Sequence, residues 1–377
     1  MSRLSVCVPQ AALLAAVRGA NRAIGGRTGP PVLRGLLLAA EGEALVATGY
    51  NQSLAIRREV GAQVAAAGRC VAPGEMLGKL VGALPTGSMV QLEDAGTGQL
   101  AITAGEGRYS LALPDEPDDY PRLPEFDPEA DPVILGYGVF QKALQAVSYA
   151  ASTEACKLIL CGVNFSDSQA IATDGHRACA FTLEAPEACE LSFAVAADAV
   201  RELEKLGLAE SDLVFLTQTK SHALFRTGKV SIIASLLAGA YPNVASLMPK
   251  ACENAITLNR QEFIESLERS LVVCDAADVA RRYIGVVYTG KTCELSIATA
   301  NDAGSATDKV AAQKSTSEDF IAKINPKYVL DALRHCEGDF VLLSHHVLAN
   351  GTTGLLIHSE EGNHKQLIMG MGDPAPR

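Results

Sequence analysis

The feature that most constrains the fold of this chain is a short pattern that occurs three times. An Ala-Thr pair ends an alternating apolar run at Thr48, Thr173 and Thr299, so the copies lie roughly 125 residues apart. A glycine precedes each pair at nearly the same step: Gly35, Gly162 and Gly285. Two markers that repeat together predict three copies of one structural unit, because a fixed period in sequence encodes a repeated structure.

The same order of elements can be read in each copy. In the first, a strand precedes a helical apolar stripe, and a second helix opens near Gly74. In the second, helices are predicted over 140–150 and 198–206. In the third, Asn259 and Glu262 have the spacing of a capping box, and Asn325 precedes the last helix. The pattern predicts an α+β fold of three repeated domains, each with two helices packed on antiparallel sheets.

Proline-rich segments mark the boundaries between the copies. Residues 114–132 are rich in Pro, Asp and Glu, and residues 241–250 contain two prolines. A chain of 377 residues is also long for one hydrophobic core. We therefore predict an N-terminal domain over 1–120, a central domain over 130–250 and a C-terminal domain over 253–377.

The net charge limits the classes of function. A formal charge of -11 excludes a protein that coats nucleic acid with a globally basic surface, although it allows a local basic track. Basic residues do occur at helical spacing in each copy: Arg18 with Arg22, Arg201 with Lys205, and Lys327 with Arg334. Solvated helix faces and a positive track along one side of the molecule both explain this recurrence.

Cysteine and histidine usage predicts neither disulfides nor a metal site. The ten cysteines are scattered, and no CxxC or Cys/His group has zinc spacing. His345 and His346 are adjacent on a predicted strand and would point to opposite faces. The apolar run near the N-terminus is interrupted by Pro9, and no stretch reaches the roughly 18 apolar residues of a membrane span. We expect a cytoplasmic protein with free thiols, no metal, no cofactor and no membrane association.

Four motifs carry a resemblance to a known family. They are Ala172-Thr173-Asp174-Gly175-His176-Arg177, Tyr241-Pro242-Asn243 with Pro249-Lys250, Tyr328-Val329-Leu330-Asp331-Ala332-Leu333, and Ile368-Met369-Gly370-Met371. Over essentially its whole length the chain resembles the beta subunit of bacterial DNA polymerase III, the sliding clamp. The resemblance implies a non-catalytic processivity factor. It further implies a head-to-tail homodimer that closes into a six-domain ring around duplex DNA, with helices lining the hole.

The resemblance also implies partners and site residues. The partners are the polymerase III alpha subunit, the clamp loader, and other polymerases and repair proteins that carry clamp-binding peptides. DNA-facing roles fall on Arg27, Lys157, Arg177 and Tyr328. A hydrophobic cleft for partner peptides falls on Leu160, Thr173, Gly175, His176, Arg177, Pro242, Leu247, Leu367, Met369 and Met371. The dimer interface falls on Arg108, Tyr109 and Leu111 of the first unit and on Leu271, Val272 and Val273 of the third.

Two alternatives stay open at this point. Several cleft positions depart from the family's usual residues, among them Ala178, Ser246 and Gly370. These departures allow a divergent or mobile-element accessory clamp that serves another polymerase. The second alternative is a hydrolase in which Asp174 orients His176 as a general base. Asp-Gly is a common turn dipeptide and spacing assigns no Ser or Cys nucleophile, so a turn beside a peptide cleft is the preferred interpretation.

Overall fold

The computed structural model of the protein describes residues 4–26, 28–127, 129–166, 168–183, 191–248, 254–274, 284–302, 304–347, 353–359 and 362–371. Within these ranges the chain forms mostly strands, and six α-helices accompany them. Every described strand pair is antiparallel. The predicted α+β class with antiparallel sheets is therefore confirmed. Among the helices that the structure describes, none has the length and apolar character needed to cross a membrane.

Three segments of the chain repeat one order of elements. The first repeat contains β1 (Leu4–Pro9), α1 (Gln10–Asn21), β2 (Gly35–Glu41), β3 (Ala44–Tyr50), β4 (Leu54–Gly61), β5 (Gln63–Ala66), β6 (Gly68–Pro73), α2 (Gly74–Ala83), β7 (Met89–Asp94), β8 (Gln99–Ala104) and β9 (Gly107–Ala112). The second contains β10 (Val133–Gly136), α3 (Tyr137–Val147), β11 (Gly162–Ser166), β12 (Gln169–Thr173), β13 (Arg177–Thr182), β14 (Ser192–Ala196), α4 (Ala197–Glu204), β15 (Leu213–Gln218), β16 (His222–Thr227) and β17 (Val230–Ser235). The third contains β18 (Ala255–Asn259), α5 (Arg260–Cys274), β19 (Ile284–Thr289), β20 (Glu294–Asn301), β21 (Gly304–Ser315), β22 (Phe320–Ile324), α6 (Pro326–Arg334), β23 (Phe340–Val347), β24 (Thr353–Ser359) and β25 (His364–Met369).

The helices of the third repeat begin where the sequence predicts. The Asn259 side chain accepts a hydrogen bond from the backbone N of Glu262 at 3.0 Å. The Asn325 side chain accepts one from the backbone N of Lys327 at 3.0 Å, and Pro326 occupies the first helical position. Each contact satisfies a donor that the helix start would otherwise leave unpaired. In the second repeat, α3 and α4 begin and end a few residues earlier than predicted.

In the first and third repeats, the two helices pack apolar side chains against the strands. In the first repeat, α1 and α2 bury Leu13, Val17, Leu77 and Val81 over the strands. In the third repeat, α5 and α6 bury an equivalent set: Phe263, Leu267, Val329 and Leu333. Full burial of one such side chain contributes about 1.5–3 kcal/mol, so these contacts hold the helices firmly to their sheets.

The strands form three sheets, and two of these sheets are shared between repeats. Their orders are β5-β1-β7-β8-β9, β10-β15-β16-β17-β4-β3-β2-β6, and β14-β11-β12-β13-β25-β24-β23-β18-β21-β20-β19-β22. In the second sheet, β4 pairs with β17, which we call the first seam. In the third, β13 pairs with β25, which we call the second seam. At both seams, the strand that follows the marker threonine joins the last strand of the next repeat.

The compact units of the structure follow the seams rather than the repeats. Unit 1 comprises Met1–Gly138 and Arg201–Leu236, and unit 2 comprises Val139–Val200 and Leu237–Arg377. Each unit contains one seam, because β4 and β17 lie in unit 1 and β13 and β25 lie in unit 2. The second repeat is consequently divided between the units. The three predicted domain ranges describe the sequence repeats, and their limits stay a prediction.

The two segments that the sequence suggests are linkers are anchored by the same dipeptide, Tyr-Pro. The Tyr120 hydroxyl donates a hydrogen bond to the Thr48 carbonyl at 3.3 Å. The Tyr241 hydroxyl donates one to the Ile171 carbonyl at 3.5 Å. Burial raises the pKa of both phenols. Each segment is therefore tied to a marker strand at its tyrosine, and its role as a linker stays a prediction.

Candidate functional site

One face of the second seam carries an apolar cluster. Side chains alternate between the faces of a strand, so Cys179 and Gln366 lie on the helix side whereas Ala178 and Leu367 lie on the opposite side. There the apolar residues pack together: Ile171, Ala178, Ala180, Val244, Met248, Leu356 and Leu367, with Tyr241 and Met369 against them. We call these nine residues the cleft cluster. Seven of them are buried at the junction of two repeats, and Tyr241 and Met369 are partly exposed.

One wall of the cleft cluster comes from the segment that follows Tyr241. The backbone N of Val244 donates to the Pro242 carbonyl at 2.8 Å, and that of Leu247 donates to the Val244 carbonyl at 3.0 Å. This local turn buries Val244 and Met248 in the cluster. Leu247 is instead 43% exposed, and Pro242 is exposed as well. The two predicted cleft residues of this segment therefore lie at its rim.

A tight turn between β12 and β13 forms the neighbouring edge; we call residues 173–177 the cleft turn. Gly175 has a φ of +91°, a conformation that favours glycine. The Thr173 hydroxyl donates to the Arg177 carbonyl at 2.6 Å and accepts from the backbone N of Gly175 at 3.1 Å. Asp174 Oδ1 accepts from the backbone N of His176 at 2.8 Å and of Arg177 at 3.0 Å. The carboxylate thus holds the turn's backbone, whereas the hydrolase alternative requires it to orient the His176 ring.

Arg177 ties the cleft turn to two other elements. Its guanidinium donates to Asp174 Oδ2 at 3.1 Å, to Asp331 Oδ2 at 2.7 Å and to the Tyr149 carbonyl at 3.1 Å. It lies over the rings of Tyr149 and Tyr328, at 5.1 Å and 4.7 Å from their centroids. Burial opposes its charge, but the hydrogen bond to Asp331 and the charge of Asp174 outweigh burial and raise the pKa of Arg177. Its side chain is only 13% exposed, so the guanidinium interacts mainly with groups of the protein and little with solvent.

The remaining predicted cleft residues lie around this core. Leu160 is buried at the end of a short 3-10 segment, and Leu367 is buried in β25. The backbone N of Met369 donates to the His176 carbonyl at 2.9 Å. Met371 is 37% exposed, and its backbone N donates to the Lys323 carbonyl at 2.8 Å. Leu367 and Met369 therefore belong to the cleft cluster, and Thr173 and Arg177 lie beside it at the ends of β12 and β13.

The predicted DNA-facing residues have different surroundings. Arg27 lies outside the described residues. Lys157 is half-exposed and pairs with Glu154 at 3.0 Å, a contact that raises the pKa of the amine. The Tyr328 ring lies 6.3 Å from the His176 ring, beside the cleft turn. Arg177 and Tyr328 are thus neighbours, and the DNA-facing role of all four residues stays a prediction.

The predicted interface residues lie at an exposed strand and an exposed helix end. Arg108 and Tyr109 are exposed on β9, Tyr109 to 42%, whereas Leu111 is buried. On the last turn of α5, Val272 is 76% exposed, and Leu271 is half-buried against the core. The Val273 carbonyl accepts a hydrogen bond from the Asn301 side chain at 2.7 Å. Each set offers apolar surface to solvent.

The basic helix residues are partly neutralised by acidic neighbours. Arg22 Nε lies 2.6 Å from Glu202 Oε2, and Arg334 Nη2 lies 2.7 Å from Glu268 Oε1. Such pairs weaken a continuous positive track. Among the residues that the structure describes, no group of three or more His, Cys, Asp or Glu could hold a metal ion.

Sequence reasoning missed several residues of the site. Val244 and Met248 are four residues apart, a spacing that could have assigned them to one wall. Tyr149 and Asp331 gave no such signal, because their contacts with Arg177 join residues far apart in the sequence. Tyr241 could have been found from the Tyr-Pro pair that Tyr120 repeats in the first linker.

Comparison with known proteins agrees with this arrangement. The family model for the N-terminal domain of the DNA polymerase III beta subunit matches residues 4–124, and the model for its central domain matches residues 135–243. The chain is 30% identical over 342 residues to the beta sliding clamp of a Synechocystis species, a match that covers 83% of this chain and 86% of the relative.

Solved structures show the same fold. The DNA polymerase sliding clamp of Bacillus subtilis superposes with a TM-score of 0.87 at 22% identity, covering 99% of this chain and 100% of the other. A sliding clamp of Pseudomonas aeruginosa bound to griselimycin superposes with a TM-score of 0.85 at 20% identity, covering 98% and 100%. From the family models and the Synechocystis relative it follows that the chain belongs to the family of the bacterial DNA polymerase III beta subunit, the beta sliding clamps.

Proposed function

We propose that this protein is a DNA sliding clamp, a non-catalytic processivity factor that encircles duplex DNA and tethers the replicative polymerase. The observation that carries the proposal is the repeated seam. Each seam joins the strand after the marker threonine to the last strand of the following repeat. Applied once more, the same rule leaves one strand of each kind for a second copy of the chain.

Those two strands are β9 and β21. Among the described strands, β9 ends the order of its sheet and has a partner on one side only. β21 pairs with β20 through Gly304–Ala311 and with β18 through Ala312–Ser315, so in the described part of the chain its first portion has an open edge. Pairing β9 of each copy with β21 of the other would cover both edges, which supports a head-to-tail homodimer.

The predicted interface residues flank these open edges. Arg108, Tyr109 and Leu111 belong to β9 itself. The helix end with Leu271, Val272 and Val273 lies beside β21, because Arg269 of α5 donates to Asp308 of that strand at 2.6 Å. Exposed apolar side chains at a paired edge are the composition expected of a lasting interface.

A closed ring explains how an acidic protein stays on DNA. Topology retains the ring, so its inner face needs only diffuse phosphate contacts, which are independent of base sequence and weaken with salt. We assign such contacts to Arg27 and Lys157. Arg177 and Tyr328 were expected to share this role, but their contacts favour a role at the cleft turn.

The cleft cluster is the proposed receptor for partner peptides. Its apolar side chains suit the apolar residues of a short linear peptide, and flexible methionines at its edge allow several peptides to fit. We propose the polymerase III alpha subunit, the clamp loader, and other polymerases and repair proteins as partners, acting in the cytoplasm without cofactor. We propose three domains over 1–120, 130–250 and 253–377; the family models, which match residues 4–124 and 135–243, support the first two.

An accessory clamp that serves another polymerase is the second candidate. The observation that favours it is the small Ala178 inside the cleft cluster, since a larger apolar residue is usual at this position of the family. Overlapping synthetic peptides from the host's alpha subunit and from its other polymerases would separate the candidates. Preferential binding of alpha-subunit peptides would identify the main replicative clamp.

The test of the main proposal is retention on nicked circular DNA loaded by the host's clamp loader. A closed ring stays on the circle and is lost when the same DNA is linearised. Equal retention on both forms would mean ordinary binding and would overturn the proposal. Val272→Asp should abolish retention by separating the dimer. The matched control is Ile321→Asp, which alters a similarly exposed aliphatic residue away from the predicted interface and should leave retention unchanged.

A further inference from the structure

The cleft turn is held from behind by a side chain that belongs to another repeat. Asp331 lies on α6 of the third repeat, whereas Asp174 and Arg177 belong to the second. The two carboxylates accept hydrogen bonds from different nitrogens of one guanidinium: Asp174 from Nε and Asp331 from Nη1. Arg177 is therefore a bridge between the turn and a helix that contributes no side chain to the cleft cluster.

The helix end of this bridge is rigid. α6 buries Val329 and Leu333 in the core of unit 2. The Tyr149 ring, which lies against Arg177, also stacks on His335 just beyond the helix, with centroids 4.0 Å apart. His335 in turn contacts the Asp331 carbonyl through Nδ1 at 2.8 Å. These contacts fix the Asp331 carboxylate relative to the sheet.

The turn end of the bridge shapes the cleft. The Arg177 backbone N donates to Asp174, and the Arg177 carbonyl accepts from Thr173, so the position of this residue sets the path of the whole turn. The His176 carbonyl accepts from the backbone N of Met369, which packs against the cleft cluster. A shift of the guanidinium would therefore move the edge on which Met369 rests.

We propose that Asp331 is a positioning residue for the cleft: through Arg177 it holds the cleft turn in the conformation that receives a peptide. This inference rests on the proposed function of the cleft cluster. Asp331 itself is not a binding residue. Its effect on a peptide passes through the guanidinium.

Asp331→Asn is the direct test, because the amide keeps the shape of the side chain and removes its charge. The probe is a synthetic peptide from the host's alpha subunit, and we expect it to bind about tenfold more weakly, which is the size of one hydrogen bond to a charged group. Binding is measured by isothermal titration calorimetry on the full chain. Asp331→Glu, which restores the charge, should recover part of the affinity.

A double-mutant cycle separates positioning from a general effect. If Asp331 acts through Arg177, then Asp331→Asn should change affinity by less than about twofold when Arg177→Ala is already present. The matched control is Glu268→Gln. It removes an equally short ion pair to Arg334, which lies on α6 like Asp331, but Glu268 does not contact Arg177. The control should bind the probe as the parent does. Parental affinity of Asp331→Asn, or an equal loss on both backgrounds, would overturn the proposal.

A second readout needs no ligand. The backbone amides of His176 and Arg177 are bonded to Asp174, so their hydrogen exchange reports the order of the turn. Asp331→Asn should speed this exchange about tenfold and leave the amides of β24 unchanged. Unchanged exchange at His176 and Arg177 would overturn the positioning role. If the parent protein fails to bind the probe, the proposed function of the cleft fails, and the exchange result still decides whether Asp331 orders the turn.

Discussion

The two seams share one backbone arrangement and differ in the side chains that they present. The strand registers show which residues of the two seams occupy equivalent positions, starting from the marker threonines Thr48 and Thr173. Thr48 lies opposite Arg57, which faces Ser231 across the first seam. On the next strand, Arg226 lies opposite Ser231. The equivalent chain of positions at the second seam runs through four other residues: Thr173, Ala178, Leu367 and Leu356.

This difference assigns separate roles to backbone and side chain. At the first seam, the face opposite the helices carries Arg57 and Arg226, both exposed. At the second, Ala178, Leu356 and Leu367 are buried in the cleft cluster. Strand pairing joins the repeats at both places, so assembly does not require the apolar residues. The first seam also buries Ala55 and Ile233 on this face, so the two seams differ at the positions of Arg57 and Arg226, which are apolar only at the second seam.

The helix-side faces of the two seams are polar in different ways. At the first, Arg58 lies against α1, near Arg22 and Glu202. Burial lowers the pKa of Arg58, the charge of Arg22 lowers it further, and the charge of Glu202 opposes them. At the second, the equivalent position is Cys179, whose Sγ lies 2.9 Å from His364 Nε2. One seam therefore encloses permanent charge, and the other encloses a titratable ring.

The largest expected effect comes from giving the second seam a residue of the first. Ala178→Arg places a charge inside the cleft cluster, where burying it costs several kcal/mol. We expect the affinity for the alpha-subunit peptide to fall by at least about 100-fold, measured by isothermal titration calorimetry, with circular dichroism to verify the fold. Arg57→Ala at the first seam should leave affinity unchanged. Retained affinity in Ala178→Arg would mean that the cleft cluster is not the receptor.

The next effect tests the charged interior of the first seam. Glu202→Gln leaves Arg22 and Arg58 without their counter-charge in a half-buried setting, so we expect a loss of about 2 kcal/mol in the free energy of unfolding. Urea unfolding measures it. Removing a buried charge as well, with Arg58→Met, should recover most of the loss. The exposed ion pair between Glu268 and Arg334 is the comparison. Glu268→Gln should lower the free energy of unfolding by less than about 1 kcal/mol. Equal losses in Glu202→Gln and Glu268→Gln would mean that the half-buried charges of the first seam are no more important for stability than an exposed ion pair.

Acid should weaken the second seam selectively. Burial lowers the pKa of His364 to about 4, although its contact with the Ala146 carbonyl opposes this. An unfolded histidine titrates near 6.5, so between these values the unfolded chain binds more protons, and stability falls as pH decreases. We expect His364 to contribute a loss of about 1–2 kcal/mol between pH 7.5 and pH 5, and His358 of β24 to add a similar loss, because burial also lowers its pKa to about 4. His364→Gln should reduce this loss of stability. An unchanged pH dependence in that variant would mean that other titratable groups cause the loss.

The smallest expected effect distinguishes the interior of the second seam from its rim. Met248 is buried in the cleft cluster, whereas Leu247 is largely exposed. Met248→Ala should weaken binding of the alpha-subunit peptide about tenfold, because it removes apolar contact surface. Leu247→Ala should change it less than about threefold. A larger loss of affinity for Leu247→Ala than for Met248→Ala would favour Leu247, the residue that the sequence assigned to the cleft.

The sequence predicts what depends on local or periodic information. The three copies, the capped starts at Asn259 and Asn325, and the turn at Gly175 all follow from residues close to one another in the chain. The seams do not, because β13 and β25 are far apart in sequence and any open strand of suitable pattern could pair with β13. The bridge from Arg177 to Asp331 depends on that pairing and was equally out of reach.

Open strand edges have a consequence for the isolated chain. A head-to-tail contact uses two different surfaces, so nothing in the contact itself limits how many copies join. Only the angle between successive copies decides whether the assembly closes after two or grows as a filament. A substitution that alters this angle without weakening strand pairing would therefore convert the proposed dimer into an open polymer, with each end still able to add a copy.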